Sequence, residues 1–184
     1  MIFNSFEFAV FFPIVFAIYW LLKLRAQNLF LLVASYVFYG FWDWRFLSLI
    51  LFSTVVDFIV AQKIHASEDP GLRKRWVTIS LVTNLGLLGV FKYFNFFLDS
   101  FVDLMTAMGS QANIPALQII LPVGISFYTL QTMSYTIDVY KRRITPEKNF
   151  LIFALFVSYF PQLVAGPIER ARRLLPQFQN KRSV

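Results

Sequence analysis

Apolar residues fall in long blocks separated by short polar or basic turns. Met1 to Leu22 contains one charge, Glu7; Ala26 to Trp42 contains none; Phe46 to Gln62 contains only Asp57; Trp76 to Phe91 contains none. Leu104 to Ile137 and Asn149 to Ile168 are also free of charge. A spanning helix needs about 20 mostly apolar residues, so each block approaches the length that crosses a bilayer. The pattern predicts an all-α polytopic membrane protein of about five to seven hydrophobic helices, forming a single membrane domain over residues 1–184.

Two blocks carry helix breakers. Proline removes a backbone donor and clashes with the preceding turn, so a helix through Pro122, with Gly124 after it, must kink or break. Pro161, Gly166 and Pro167 interrupt the last block in the same way. Irregular backbone at membrane depth survives only where protein or water satisfies the freed groups. Both interruptions are therefore candidate cavity walls or re-entrant elements, with ordinary proline kinks as the alternative. Basic residues at both ends of the last block favour re-entrance there. Between them, Tyr93 to Met108 places Phe94, Phe97, Phe101, Leu104 and Met108 at helical spacing, with Asn95, Asp99 and Asp103 on another face. This reads as an amphipathic helix, either flat in the interface or inside a bundle. The flat placement is preferred because it lets Leu117 to Tyr140 cross once.

Composition agrees with the pattern. The chain is 58% hydrophobic and only 15% charged, against roughly 25% charged in soluble domains, which excludes an ordinary soluble enzyme. The net charge of +7 would suggest nucleic acid, but its distribution argues against that partner. Basic and acidic residues balance through residue 140, and the excess lies in Lys141–Arg143, Lys148 and the segment from Arg170 onward. Such clusters beside apolar blocks set orientation or meet anionic lipid. Counting positive residues puts Lys23, Arg25, Lys63 and Arg73–Arg75 inside, with the N-terminus outside. Met1 to Leu22 reads as a retained first helix, because a cleaved signal carries its positive charge ahead of the apolar run. Residues 174–184 read as a basic surface tail.

Candidate chemistry is sparse. No Cys is present, so disulfides, thiolate nucleophiles and Cys-based metal sites are absent, and one histidine cannot by itself make a metal centre. That residue, His65, sits in a basic loop without a nucleophile beside it. Ionisable residues inside a span are candidates by default, which singles out Asp57 and Asp138. Asp57 is expected near a helix end, reaching the interface or pairing with Lys63; Asp138 is expected in an interfacial ion pair. A relay using both would require them to face one cavity. The polar but uncharged run after Pro122, containing Ser126, Thr129, Gln131, Thr132, Ser134, Tyr135 and Thr136, can either stitch helices together or line a polar tunnel.

The run Leu121-Pro122-Val123-Gly124-Ile125-Ser126-Phe127-Tyr128, continuing through Gln131, Ser134, Tyr135 and Ile137–Tyr140, resembles a signature of the membrane-bound O-acyltransferase family. The likeness is closest to its bacterial polysaccharide branch, the alginate O-acetyltransferase type. Ala34–Tyr39, Asn84–Gly86, Phe91–Tyr93 and Phe160–Arg170 resemble further blocks of that branch, in order. The resemblance implies a multi-pass protein of the bacterial inner membrane that helps move an acyl group, usually acetyl, onto a cell-surface polysaccharide. It also implies an acyl donor on the cytoplasmic side, acetyl-CoA or an acyl carrier, and periplasmic partner proteins. Under it Pro122, Gly124, Ser126, Gln131, Ser134, Tyr135, Asp138, Gly166 and Pro167 become candidate tunnel-wall or helix-packing positions. The family's catalytic histidine lies in a Trp-His motif in the second half of a longer chain. His65 matches no such motif, so no catalytic residue is assigned, and the likeness is to the N-terminal portion alone. Rival readings are a small transporter or channel component and a noncatalytic membrane scaffold.

Overall fold

A computed structural model describes residues 5–108, 124–166 and 169–181. Pro122 and Pro167 lie outside these described residues. The helices are α1 (Phe6–Leu21), α2 (Leu24–Asp43), α3 (Leu47–Ala66), α4 (Pro70–Ala107), α5 (Ile125–Tyr140), α6 (Phe150–Ser158), α7 (Phe160–Ala165) and α8 (Ala171–Gln179); a short 3-10 turn, Trp44–Phe46, joins α2 to α3. No strand occurs among the described residues.

Local chemistry explains the helix starts. Ser5 accepts the Phe8 N–H, Asp69 accepts the N–H groups of Gly71 and Leu72 with Pro70 opening α4, and Asn149 accepts the Leu151 N–H. Each cap satisfies donors that the first helical turn leaves without carbonyl partners. The segment Leu24–Ala66 and helix α4 are each long and apolar enough to cross a membrane. Their outward faces carry exposed Phe41, Phe52, Val82 and Phe97, as expected where lipid rather than water is the solvent.

The segment from Tyr93 does not begin a separate element: it prolongs α4, a helix of 38 residues. At 1.5 Å per residue this helix is about 57 Å long, nearly twice the hydrocarbon thickness. No proline interrupts it after Pro70, and Gly86 and Gly89 face open space, so nothing in the sequence stops the helix at Lys92.

Helices α3, α4 and α5 pack together, and α2 packs against α6. Phe38, Tyr128, Tyr135, Phe153, Phe156 and Phe160 are all essentially inaccessible. The basic residues gather at one end of this bundle. There Arg142 pairs with Glu68 at 2.7 Å, Arg73 donates to the Tyr140 carbonyl, and Gln62 Nε2 donates to the Glu147 carbonyl at 2.7 Å. The opposite end carries Arg45 paired with Asp43 at 2.6 Å.

Helices α6, α7 and α8 leave the basic end and return to it. Before α6, Glu147 accepts from Gln179 at the end of α8 at 2.5 Å, while Leu163 of α7 touches Gly124 at the start of α5, one full helix length from the basic end. That is a re-entrant path. Residues 174–179 of the expected surface tail instead form the second part of α8, in which Ala171, Leu174, Leu175 and Phe178 are buried while Arg172 and Arg173 stay exposed. This i, i+3, i+4, i+7 spacing is that of an amphipathic helix.

Candidate functional site

The break between α6 and α7 draws three distant parts of the chain together. In a continuous helix the Phe160 N–H would bond the Phe156 carbonyl. Here the Phe160 N–H instead donates to Ser35 Oγ of α2 at 3.2 Å, and the freed Phe156 carbonyl accepts Gln131 Nε2 of α5 at 2.7 Å. Pro161 explains why the helix cannot continue: it brings no N–H and crowds the preceding turn. Ser35 in turn donates to the Leu31 carbonyl at 2.7 Å, so its hydroxyl acts as acceptor and donor at once. Both halves of the lost bond are thereby satisfied in a region where water cannot do so.

Gly124 completes the junction. Its φ of +80° lies in the left-handed region, and a Cβ there would stand 3.0 Å from the Leu163 carbonyl oxygen and 3.5 Å from the Tyr39 hydroxyl. Glycine suits both the backbone geometry and the close approach. Gly166 serves proximity alone, since a Cβ there would lie 2.8 Å from Gln162 Cα. Aromatic rings seal the junction: Phe38 and Phe160 centroids are 5.3 Å apart, and Phe11 meets Phe160 edge-on at 5.6 Å.

A second buried polar cluster lies between α3, α4 and α5. Asp57 is fully buried midway along α3. It accepts Ser80 Oγ at 2.5 Å and Asn84 Nδ2 at 2.8 and 3.0 Å. Ser53 Oγ donates to Asn84 Oδ1 at 2.7 Å, and Thr132 and Thr136 face the carboxylate from α5. Asp57 therefore neither reaches the interface nor pairs with Lys63: position 57 faces α4 and α5, and α4 supplies hydroxyl and amide donors one helical turn apart at Ser80 and Asn84.

Asp138 does form the expected ion pair, with Arg143 at 3.5 Å. It stands two residues beyond Thr136, about 200° around α5, so it faces away from Asp57. Among the other candidate positions, Tyr135 accepts the Glu147 N–H at 2.9 Å, while Ser126 and Ser134 are half-buried on the outer side of α5 beside exposed Phe127 and Leu130. Gln131 and Tyr135 thus bond to protein backbone. His65 is exposed in the last turn of α3. Sequence reasoning gave Ser35, Ser80 and Asn84 no role, although Ser35 and Asn84 lie inside the quoted blocks; the four-residue spacing of Ser80 and Asn84 in an apolar run was the available signal.

At the basic end, outside the span, the Arg142 guanidinium bonded to Glu68 holds that carboxyl below its ordinary value.

The fold and these buried polar contacts define a polytopic α-helical membrane protein built around a repaired helix break. Comparison with known proteins places it more closely. The chain is 41% identical to a protein of Pseudomonas syringae pv. tomato named alginate O-acetylase AlgI, over 98% of this chain and 35% of that protein. It is 40% identical to the Azotobacter vinelandii protein of the same name, over 98% and 36%. A peptidoglycan O-acetyltransferase of Helicobacter pylori is 36% identical, over 98% and 39%. The motif resemblance is thereby borne out: the chain is related, over about a third of their length, to O-acetyltransferases of the membrane-bound O-acyltransferase family. No family model and no solved structure matches it.

Proposed function

We propose that this chain is part of a membrane O-acetyltransferase that places acetyl groups on a cell-surface polysaccharide. The reading rests on its similarity, across 98% of its length, to proteins named alginate O-acetylase and peptidoglycan O-acetyltransferase. The convergence of three resembling blocks on one break, through Ser35, Gln131 and Phe160, supports it. In this reading the basic end faces the cytoplasm of a bacterial inner membrane, where positive residues are retained, and the N-terminus faces out. An acyl donor, acetyl-CoA or an acyl carrier, approaches that end. The acceptor glycan and its periplasmic partner proteins meet the other. The chain's own contribution is a re-entrant backbone held open at membrane depth by Ser35 and Gln131, and the acyl-transfer chemistry is assigned to none of its residues.

Disrupting the coding sequence in the source cell tests this. Ester-linked acetate released by mild alkali from surface polysaccharide and from peptidoglycan is measured in parallel. Loss from one fraction, restored by a wild-type copy, is expected and identifies the acceptor. Unchanged acetate in both would overturn the reading.

A further inference from the structure

A groove at the basic end is lined by several cationic side chains, and neither buried cluster accounts for it. The 141–149 loop lies against the last turn of α3 and along α8 from Ala171 to Gln179, bounding about 650 Å³. Arg143, Lys148 and Arg172 stand on its walls with His65, and all four are exposed. Lys148 and Arg172 form no ion pair among the described residues.

Four acidic groups at this end are already engaged, and Glu169, just ahead of α8, is not among the residues that line the groove. Glu147, the carboxylate on the groove wall, accepts the Asn149 N–H at 2.8 Å and Gln179 Nε2 at 2.5 Å. Glu68 is bound to Arg142, Asp138 to Arg143, and Asp69 caps α4. The loop is also fixed from beneath, because Tyr135 accepts the Glu147 N–H and Gln62 donates to the Glu147 carbonyl. Its cations are therefore presented by a scaffold that is already ordered, which lowers the entropic cost of binding.

We infer that this groove is a binding site for a phosphate group. A phosphate offers several charged oxygens at once, which suits a lysine and an arginine on the walls of one groove better than a single carboxylate does. The hydroxyl of Thr145 lines the same space and supplies a neutral donor. The site lies at the end of the spanning helices, within reach of both a phospholipid headgroup and a soluble phosphorylated metabolite. The inference does not depend on the acetyl-transfer reading.

The test uses the whole chain in phosphatidylcholine nanodiscs titrated with inorganic pyrophosphate, and in a second arm compares nanodiscs with and without phosphatidylglycerol. Binding of the soluble probe, or stabilisation by the anionic lipid, is expected to weaken about tenfold in Lys148→Gln/Arg172→Gln, the loss of two charge-assisted contacts. Lys74→Gln/Arg75→Gln removes equal charge from exposed positions at the same end but outside the groove, and is expected to change either readout less than about twofold. A response to the soluble probe assigns the site to a soluble ligand; a response confined to phosphatidylglycerol assigns it to a headgroup. Equal weakening in the two double variants would reduce the effect to the general positive field and overturn the site, as would no response to either probe. The single variants Lys148→Gln and Arg172→Gln, each expected to lose part of the response, repeat the test if the double variant unfolds.

Discussion

The break between α6 and α7 and the Asp57 cluster are both polar and both buried in the span, yet they serve different ends. At the break the side chains repair backbone: Ser35 takes the Phe160 N–H and Gln131 satisfies the Phe156 carbonyl. In the Asp57 cluster the helices are continuous and their backbones already satisfied, so Ser53, Ser80 and Asn84 serve one another and the carboxylate. The first arrangement permits an irregular path; the second locks three regular helices in register. An apolar substitution at the break leaves one backbone group without a partner. At Asp57 it strands several side-chain donors together.

That difference predicts the largest effect at Asp57. Asp57→Ala removes the acceptor for Ser80 and Asn84 at once and is expected to cost about 3 kcal/mol, since each stranded buried donor costs about 1–3 kcal/mol. Asp57→Asn keeps an acceptor oxygen and the side-chain shape and is expected to cost about 1 kcal/mol. Reversible unfolding in detergent micelles, followed by circular dichroism, measures both. If Asp57→Ala proves no worse than Asp57→Asn, the cluster does not lock the helices and the contrast between the two regions collapses.

The two regions also differed in how far the sequence revealed them. Pro161 and Gly166 announced an interruption, because their backbone chemistry is local and forbids a regular helix whatever surrounds them. Gln131 stood out as an amide in an apolar run, but its partner carbonyl, 25 residues away, depends on how α5 and α6 pack. Asp57 was visible as a charge and placed wrongly, near a helix end, because the position of α3 relative to α4 and α5 is a tertiary fact. The prolongation of α4 past Lys92 was hidden for a related reason. An amphipathic pattern marks a helix without saying whether it starts afresh, and with no breaker between Phe91 and Tyr93 the chain simply continues.

A middle-sized effect is expected at the break. Gln131→Leu strands the Phe156 carbonyl and Ser35→Ala strands the Phe160 N–H, each costing about 1 kcal/mol, within the range measured for interhelical polar contacts in membranes. The two side chains do not bond each other but serve the same break, so the double variant tests whether it behaves as one unit. A coupling of about 0.5 kcal/mol or more would mean that losing one partner already lets the break relax. Strict additivity would mean that α2 and α5 hold α6 and α7 independently, which would sharpen the view of this region as a set of separate backbone repairs.

The smallest effect is expected at Glu68, the exposed counterpart of both buried regions. Its carboxylate meets Arg142 at 2.7 Å, a contact as short as that of Gln131, yet the Glu68 side chain is 85% exposed. Water solvates both partners when the pair opens, so Glu68→Gln is expected to leave the unfolding midpoint unchanged within error. The pH dependence has a defined sign. Arg142 lowers the Glu68 carboxyl below its ordinary value, so whatever the pair contributes is present above the unfolded-state value and disappears as pH falls through the folded one. The same melts recorded across the acid range, with and without added salt, should superimpose for Glu68→Gln and the wild type at the lowest pH and differ little above it. If removing Glu68 instead cost as much as removing Gln131, hydrogen-bond geometry rather than exclusion from water would set the scale, and the comparison between the break and the Asp57 cluster would lose its physical basis.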